Sequence, residues 1–546
     1  MTLSKGCACN ASVLVAALAF WCSSPCSGQT ARLVPADYAT IQGAIAAAVS
    51  GDSVEVAPGT YVENIDLLGK TLLVHALGGP DVTVLDGSAL TLGATLASTV
   101  FVRSGEGVGT EIRGFTIQGG FGSDLTDLAL PTPWTIKGGG AYCLGSSVMF
   151  RQCRFSNNSA ELGSAIYAAN MGDLEIIDCE FRTNAAVGIG TINSVNNDCV
   201  RVIGCDISEN FSYQVPIAGW FLDHETLIED CVIADNESVN SGGSGGGFYF
   251  GGYTSPIVLN PAETTIRDCV FRNNEHPGAG AAVTASHFGT ILFERCHFMD
   301  HISVPVATAE ADATFRRCTF YGNVSSGASA VIAGSSPNSV VMEHCTISGN
   351  LGYEASIKLL APCVATIRNT IIADDNVPVA ILTVNNPTVT ATYSNIQGGF
   401  PGIGNLDVPP SFVDAPGGVY YLTTDSLCVN AGDPASPLDP DGSIADMGAF
   451  PLTLLFKRGD ANLDGNVDVG DPVALLNYLF GGQGGTLPCA DAADSNDSGV
   501  LDIADAVFAL NYLFGMSVQL PSPGPVCGID GTADALTCTA PSPTCL

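Results

Sequence analysis

Apolar and polar positions repeat along the middle of the chain with a period near 26 residues. In the copy LEIIDCEFRTN, residues 174–184, apolar side chains stand five and three positions before Cys179, at Cys179 itself and two positions after it. Alternation with a period of 2 is typical of a β-strand, and the three-residue step before the cysteine requires a bend. The pattern therefore predicts two short strands joined by a corner in every copy.

The same slot recurs from residue 115 to residue 396. Eight copies carry a cysteine in it: Cys153, Cys179, Cys205, Cys231, Cys269, Cys296, Cys318 and Cys345. Three further copies carry Phe115, Thr370 and Ile396. A third strand is predicted before the slot by GGGAY, GSAIY and GGGFY, which begin at residues 138, 163 and 245. Short strands and corners at this period predict an all-β fold, a parallel β-helix solenoid over residues 33–450. A propeller blade needs about 40 residues and fits less well.

The cysteines of the slot are expected to be buried thiols. A cysteine is small and apolar, so it can fill one interior position in coil after coil. Stacked coils place neighbouring Cβ atoms about 4.8 Å apart, whereas a disulfide favours about 3.8 Å. We therefore predict a ladder of free thiols.

The two ends of the repeat array carry segments that can cover it. Thr40 can cap a helix over residues 40–50, and DSVEVAPGTYVENI follows it. This stretch resembles the N-terminal cap of pectin-lyase-like right-handed β-helix proteins. Residues 407–450, with PSFVDAPGGVYYLTTDSLCVNAGDP and DGSIADMGAF, resemble the closing segment of the "choice-of-anchor Q" β-helix family. Asn430 stands where that family usually has Asp.

Charge and the N-terminus indicate an exported protein. The chain has 54 acidic and 19 basic residues, a net charge of −35, which argues against a nucleic-acid partner because phosphate contacts need clustered Lys and Arg. Residues 1–28 have Lys5, a short apolar run and then small residues, the layout of a secretory signal peptide. No later run is long enough for a transmembrane segment. We expect a secreted, extracellular or cell-surface-associated protein.

A duplicated motif follows residue 456, in the predicted module 457–515. Calcium prefers six to eight oxygens, which a 12-residue loop supplies from positions 1, 3, 5, 7, 9 and 12, with glycine at position 6. The predicted metal ligands are Asp460, Asn462, Asp464, Asn466, Asp468 and Asp471 in the first loop, and Asp494, Asn496, Ser498, Val500, Asp502 and Asp505 in the second. Asn466 and Val500 would contribute backbone carbonyls. We therefore predict two Ca²⁺ ions.

This duplication resembles the type I dockerin, an EF-hand-like module of two calcium loops, each followed by a helix. The resemblance implies a cohesin-like or other surface partner, which in that family is bound partly through a Ser-Thr pair at loop positions 10 and 11. Here those positions hold Val469-Gly470 and Ile503-Ala504. The alternative is a module that only stabilises or anchors the chain.

The Pro/Cys-rich tail, residues 516–546, completes the C-terminal region. Cys489, Cys527, Cys538 and Cys545 are predicted to form two disulfides, because small secreted domains need covalent links. Their pairing cannot be read from the sequence.

Two groups of residues could give the solenoid its chemistry. His287, His297 and His301 lie close in sequence to Glu294 and are the catalytic candidates; the alternative is that they occupy strand and turn positions. Trp134, Tyr249 and Tyr253 lie in the insertions 121–137 and 238–261, where aromatic rings could stack on sugars; the alternative is surface decoration.

These features predict a secreted, calcium-binding β-helix protein that acts in polysaccharide binding or catabolism, with a polysaccharide or cell-surface glycan as partner. If it is an enzyme, it is expected to be a polysaccharide lyase or an O-glycosyl hydrolase. The alternative is a non-catalytic adhesion or structural protein with a calcium-stapled anchoring module.

Overall fold

The computed structural model describes residues 30–545, with gaps at 91–94, 126–134, 214, 221–224, 240–247, 252–261, 278–279, 287–288, 310, 326–328, 336–338, 353, 375, 441, 453–454, 482–486, 516–517, 529–535, 537, 539–541 and 543. The predicted signal peptide, residues 1–28, lies outside the described residues.

Successive coils of the chain stack into three long sheets, as the repeat predicts. The first sheet is parallel throughout, and its 14 strands follow one another in chain order. They are Ala31–Val34, Ser53–Val56, Leu73–Ala76, Glu111–Arg113, Val148–Arg151, Asp173–Ile177, Cys199–Ile203, Glu225–Glu229, Ala262–Arg267, Gly289–Glu294, Asp312–Arg316, Ser339–Glu343, Val364–Arg368 and Thr388–Thr392.

The second sheet is also parallel and contains 13 strands. They are Gly59–Val62, Thr83–Asp86, Thr116–Gln118, Arg154–Ser156, Glu180–Arg182, Asp206–Ser208, Val232–Ala234, Val270–Arg272, His297–Met299, Thr319–Tyr321, Thr346–Ser348, Ile371–Ala373 and Asn395–Ile396. The apolar slot lies at the corner between a strand of the first sheet and a strand of the second.

The third sheet has 18 strands and closes each coil. They are Ile65–Asp66, Leu96–Ala97, Val100–Val102, Gly122–Asp124, Ile136–Lys137, Ala141–Leu144, Ser159–Leu162, Ile166–Ala169, Ala185–Val195, Phe211–Ser212, Val215–Trp220, Glu237–Ser238, Phe248–Gly251, Val283–Ser286, Val306–Ala309, Ser329–Ser335, Ala355–Leu360 and Val379–Val384. Its pairings are parallel except those of Gly122–Asp124, which runs antiparallel to Leu96–Ala97 and Ile136–Lys137. Val324–Ser325 and Leu351–Gly352 form a separate parallel pair.

The interior is filled by columns of identical or similar side chains. All eight slot cysteines are buried and free, which confirms the predicted thiol ladder. Two residues after the slot, phenylalanine rings stack from coil to coil, with ring centroids 4.9 Å apart for Phe155 and Phe181 and 4.7 Å apart for Phe298 and Phe320. Apolar burial of this kind, repeated coil after coil, supplies most of the stability of a solenoid.

A second column, which the sequence reading missed, consists of asparagines five residues after the slot. Its members are Asn158, Asn184, Asn210, Asn236, Asn274, Asn323 and Asn350, and all are buried. The Asn184 side chain donates to Oδ1 of Asn210 at 3.0 Å and to the carbonyl of Phe155 at 2.9 Å, and other members repeat this arrangement. The column therefore supplies hydrogen bonds to the backbone at the corner that leads into the third sheet.

Both ends of the array are covered. At the N-terminal end the helix Ile41–Ala47 begins after Thr40, whose side chain accepts the N–H of Gly43, and it buries Ile41 and Ile45 against the first coils. A 3₁₀ turn spans Gly87–Ala89. Near the C-terminal end the antiparallel pair Phe412–Asp414 and Val419–Leu422 packs on the outer side of the second sheet, where the Tyr420 hydroxyl donates to the carbonyl of Ser348 at 3.2 Å.

After the solenoid come the helices Gly470–Phe480, Ala490–Ala493 and Ile503–Leu513. Cys489 pairs with Cys538 and Cys527 with Cys545, so the two predicted disulfides are present. Within the described residues, no helix is long and apolar enough to cross a membrane.

Candidate functional site

The first predicted calcium loop folds around its own first and last carboxylates. Asp460, at position 1, is fully buried and accepts the N–H of Gly465 on Oδ2 at 3.1 Å. Asp471, at position 12, lies in the first turn of the helix Gly470–Phe480 and accepts the N–H groups of Asn462 at 3.2 Å and Asp468 at 2.8 Å. Gly465 has φ +90°, which allows the sharp turn at position 6.

The intermediate side chains of this loop are oriented by short backbone contacts. Oδ1 of Asn462 accepts the N–H of Asp464 at 2.8 Å, and Oδ1 of Asp464 accepts the N–H of Asn466 at 2.9 Å. Oδ1 of Asp468 accepts the N–H of Gly470 at 2.7 Å. Each of these side chains is therefore fixed with respect to the loop backbone.

The second loop repeats this plan 34 residues later. Asp494 is buried and accepts the N–H groups of Ser498 at 3.0 Å and Gly499 at 2.7 Å. Asp505 accepts the N–H of Asp502 at 2.9 Å, while Asp502 caps the helix Ile503–Leu513. The equivalent contacts in both loops come from equivalent positions of the duplicated motif.

The position-12 carboxylates lie in an unfavourable electrostatic environment. Burial raises the pKa of Asp471 to about 6, and the charges of Asp460 and Asp464 act in the same direction. Two backbone N–H groups that donate to Asp471 partly oppose this rise. Burial and the nearby Asp494 raise the pKa of Asp505 to about 6. Burial also raises the pKa of Asp460. Negative charge is therefore concentrated in both loops.

One oxygen of the first loop has no hydrogen-bond donor. Oδ1 of Asp460 is buried and lacks a partner within the described part of the chain. Burying a carboxylate oxygen without a hydrogen-bond donor raises the free energy of the folded state, so a cation that contacts this oxygen would stabilise it. Ca²⁺ prefers oxygen ligands from carboxylates and amides. The loop provides such oxygens at positions 1, 3, 5 and 9 and a carboxylate at position 12.

Residues of the tail and of the segment before the loop also contact it. The hydroxyl of Ser542 donates to Oδ2 of Asp460 at 2.9 Å, and the backbone N–H of Ser542 donates to the carbonyl of Leu455 at 2.9 Å. Lys457 Nζ donates to the carbonyl of Gly465 at 2.8 Å. The contact between Ser542 and Asp460 joins residues 82 positions apart, which no local sequence signal indicated.

The described catalytic candidates lie in different parts of the coil, and His287 lies outside the described residues. His301 is fully buried and takes the place of an asparagine in the second column: its Nδ1 accepts the N–H of Asn274 at 3.2 Å. His297, on the outer side of the second sheet, contacts Thr319 Oγ1 at 2.6 Å and stacks on Phe450 of the closing segment. Burial lowers the pKa of both histidines, to about 4 for His301.

Glu294 belongs to an alternating row on the outer side of the first sheet. The row is formed by Glu229, Arg267, Glu294, Arg316, Glu343 and Arg368, which occupy one register position on six neighbouring strands. Arg267 meets Glu229 at 2.7 Å and Arg368 meets Glu343 at 2.6 Å. Glu294 itself meets Arg295 at 3.2 Å. In this row opposite charges neutralise one another along the sheet.

A row of aromatic and polar positions crosses the third sheet, and its members with described side chains, Phe101, Tyr142, Tyr167, Asn193 and Thr284, are all buried. Phe101, Tyr142, Tyr167, Asn193, Ala218, Tyr249 and Thr284 share one register position on successive strands. The rings of Tyr142 and Tyr167 stack with centroids 5.5 Å apart. The amide of Asn193 is buried and has no hydrogen-bond partner within the described residues. Trp134 and Tyr253 lie outside the described residues.

Part of the solenoid matches a known protein family. Residues 106–309 match the family model described as "Right handed beta helix region". A pectate lyase is 14% identical with a TM-score of 0.33, and the match covers 75% of this chain and 90% of that one. A rhamnogalacturonan lyase is 13% identical with a TM-score of 0.33, covering 73% and 88%, and a pectin methylesterase from carrot is 12% identical with a TM-score of 0.23, covering 68% and 89%. No curated protein matches the chain in sequence. The chain is a right-handed parallel β-helix protein with a small α-helical module after the solenoid.

Proposed function

We propose that the C-terminal module binds two Ca²⁺ ions, one in each duplicated loop. The observation that carries this proposal is the buried Oδ1 of Asp460, which has no donor among the described residues although it lies in a loop with four other acidic or amide ligands. A divalent cation would supply the missing partner and offset the repulsion that raises the pKa of Asp471 and Asp505.

Calcium suits the loops better than magnesium does. Ca²⁺ accepts six to eight oxygens in flexible geometry, whereas Mg²⁺ demands near-ideal octahedral geometry and keeps several waters. Each loop offers carboxylate and neutral oxygens at five side-chain or backbone positions before the position-12 aspartate, enough for the larger ion.

Calorimetric titration of the full-length exported protein with CaCl₂ tests the proposal, with MgCl₂ as the competing ion. We expect two equivalents of Ca²⁺ and much weaker binding of Mg²⁺. The variant Asp471→Ala should retain only one equivalent, and so should Asp505→Ala, because each change removes the expected bidentate ligand. The absence of calcium binding by the wild-type protein would refute it.

For the solenoid, we propose binding of an extracellular polysaccharide on the outer side of the third sheet. The position of Tyr249 supports this, because it lies on the strand Phe248–Gly251 within the insertion 238–261 and aromatic rings stack on sugars, whereas Tyr142 and Tyr167 are buried and contribute to packing.

A panel of polysaccharides tests this second proposal, with both binding and the release of unsaturated or reducing ends measured. Binding that Tyr249→Ala weakens would support the proposal, whereas Tyr393→Ala, outside the row, should leave it unchanged. Release of ends would favour a lyase or hydrolase, and binding without release would favour the non-catalytic adhesion protein. Failure to bind any member of the panel would count against a glycan partner.

A protein or surface partner for the C-terminal module is a further proposal. Four apolar side chains at equivalent positions of the duplicated motif are exposed: Val473 and Phe480 on the helix Gly470–Phe480, Val507 on the helix Ile503–Leu513 and Phe514 directly after it. Exposed apolar side chains at matched positions favour attachment to another macromolecule. A Phe480→Ser, Phe514→Ser variant should lose retention on the cell surface while keeping both calcium equivalents. Retention equal to that of the wild type would contradict this proposal.

A further inference from the structure

We propose that the C-terminal tail completes the first calcium site, with Ser542 as its positioning residue, and that it thereby makes this site tighter than the second. This inference rests on the proposed calcium function. It assigns a role to the Pro/Cys-rich tail, which the calcium-loop motif itself does not include.

The contact that carries the inference lies between Ser542 and Asp460. Both side chains are fully buried, and the Ser542 hydroxyl donates to Oδ2 of Asp460 at 2.9 Å. The N–H of Gly465 donates to the same oxygen at 3.1 Å. With two donors on Oδ2, the carboxylate is held in one orientation, and Oδ1 is the oxygen left for a cation.

The tail is itself held in place next to the loop. The N–H of Ser542 donates to the carbonyl of Leu455, and the N–H of Cys545 donates to the carbonyl of Ser542, both at 2.9 Å. The disulfide between Cys545 and Cys527 closes a segment of 18 residues. A tethered hydroxyl loses little further entropy when it holds the carboxylate, so its hydrogen bond is more effective than that of a free chain end.

The tail also fits closely around the turn of the first loop. A Cβ atom added at Gly465 would meet Cγ2 of Thr544 at less than van der Waals separation. This close approach depends on the glycine at loop position 6, so the same residue serves both the turn and the docking of the tail.

The second loop has a different arrangement. Among the described residues, the hydrogen bonds of the Asp494 carboxylate come from its own loop: the N–H groups of Ser498 and Gly499 donate to it, and the side chain of Asp505 contacts it. The first loop therefore receives a hydroxyl from the tail on its position-1 carboxylate, and the loops also differ at position 5, where Asp464 stands in the first and Ser498 in the second.

Groups that orient a metal ligand typically change metal affinity by about 10- to 100-fold when they are removed. We therefore expect Ser542→Ala to weaken one of the two calcium-binding steps by about tenfold or more and to leave the other unchanged. Ser542→Thr keeps the hydroxyl and should restore most of the affinity. The double variant Cys527→Ser, Cys545→Ser should act in the same direction as Ser542→Ala, because it releases the tail.

Calcium titration of the full-length protein, with terbium luminescence as an independent readout, tests the inference. In an Asp505→Ala background, which leaves only the first site, Ser542→Ala should weaken the remaining step. In an Asp471→Ala background, which leaves only the second site, it should have no effect. Ser495→Ala is the matched control, because Ser495 is a buried serine of the same module whose hydroxyl contacts the carbonyl of Ala493 instead of a loop carboxylate.

The outcomes separate this inference from the calcium proposal. Wild-type protein that binds no calcium would refute the proposed function. Two calcium equivalents with affinities that Ser542→Ala leaves unchanged would overturn the inference alone. Equal weakening of both steps would also overturn it, since Ser542 would then support the module as a whole instead of the first site.

Discussion

Replacing His301 with asparagine should make the solenoid more resistant to acid. His301 is fully buried in the asparagine column, where its ring nitrogen Nδ1 accepts the backbone N–H of Asn274 at 3.2 Å. The backbone N–H of His301 donates to Oδ1 of Asn323 at 3.1 Å. Protonation would place a hydrogen on Nδ1 and remove the acceptor that the Asn274 N–H uses. An asparagine keeps an acceptor at every pH.

The size of the effect follows from the shift in the pKa of His301. Burial lowers this pKa from 6.5 to about 4, so between these values the unfolded chain binds a proton that the folded chain does not. The contribution of neutral His301 to the unfolding free energy is present above pH 6.5 and is lost as the pH falls towards about 4. At 1.36 kcal/mol per pKa unit, the loss amounts to about 3 kcal/mol.

Denaturant unfolding followed by the circular dichroism of the β-sheet measures this effect, at several pH values and with calcium in excess. The unfolding free energy of His301→Asn minus that of the wild type should rise by about 3 kcal/mol from neutral pH to pH 4, because all other titrating groups cancel in the difference. His75→Asn, on a first-sheet strand away from the column, is the control. A difference in unfolding free energy that does not vary with pH would contradict a lowered pKa of His301 in the folded chain.

Three other predictions concern the ladders and the module. Asn210→Ala should lower the unfolding free energy by about 3 kcal/mol, because it leaves buried backbone groups without partners. The exposed Asn196→Gly should change little, because glycine accepts the φ of 54° found there, and equal effects of the two changes would contradict the role of the column. Thiol titration of unfolded, unreduced protein without residues 1–28 should find the twelve free cysteines of the structure; finding almost none would contradict the thiol ladder. A chelator should melt residues 457–515 and expose Arg458 to protease while the β-sheet signal persists, because ion binding contributes to folding of the small module; a tail that stays resistant would contradict this.

The sequence predicted the repeated features of the fold well, because they depend on local periodicity. The apolar slot and its corner follow from spacing alone, and the thiol ladder follows from the distance between stacked coils. The predicted corner is made by the residue before the slot, which has a left-handed backbone: Asp178 and Asp268 have φ of 53° and 55°. Arg295 and Arg317 adopt the same conformation with φ of 53°, although arginine does so rarely.

The asparagine column could have been found in the sequence and was not. An asparagine stands five residues after most slot cysteines, but asparagine is also common in turns, so composition alone did not separate the two roles. Its role depends on the amide reaching the next coil, which is a property of the stacked register. His301 was considered as a reactive group because of the density of histidines, whereas it stands in the column and accepts the same kind of hydrogen bond.

Contacts between distant parts of the chain could not be predicted from local patterns. Ser542 and Asp460 are 82 residues apart, and no motif joins them. The pairing of the four late cysteines was likewise open, because four cysteines allow three connectivities. Duplication of the calcium loops predicted two related sites that differ at positions 5 and 7, and the contact from the tail is a further difference that only the folded structure shows.

Calcium binding by both loops is tested most directly by a crystal structure of the calcium-soaked protein, with anomalous diffraction recorded to locate the ions. If each loop binds one Ca²⁺ ion, two anomalous peaks are expected, one in each loop. The peak in the first loop should lie at about 2.3–2.6 Å from carboxylate oxygens of Asp460 and Asp471, and the peak in the second loop at the same distance from those of Asp494 and Asp505. Loops without anomalous density at saturating calcium, or density only elsewhere on the protein, would contradict it.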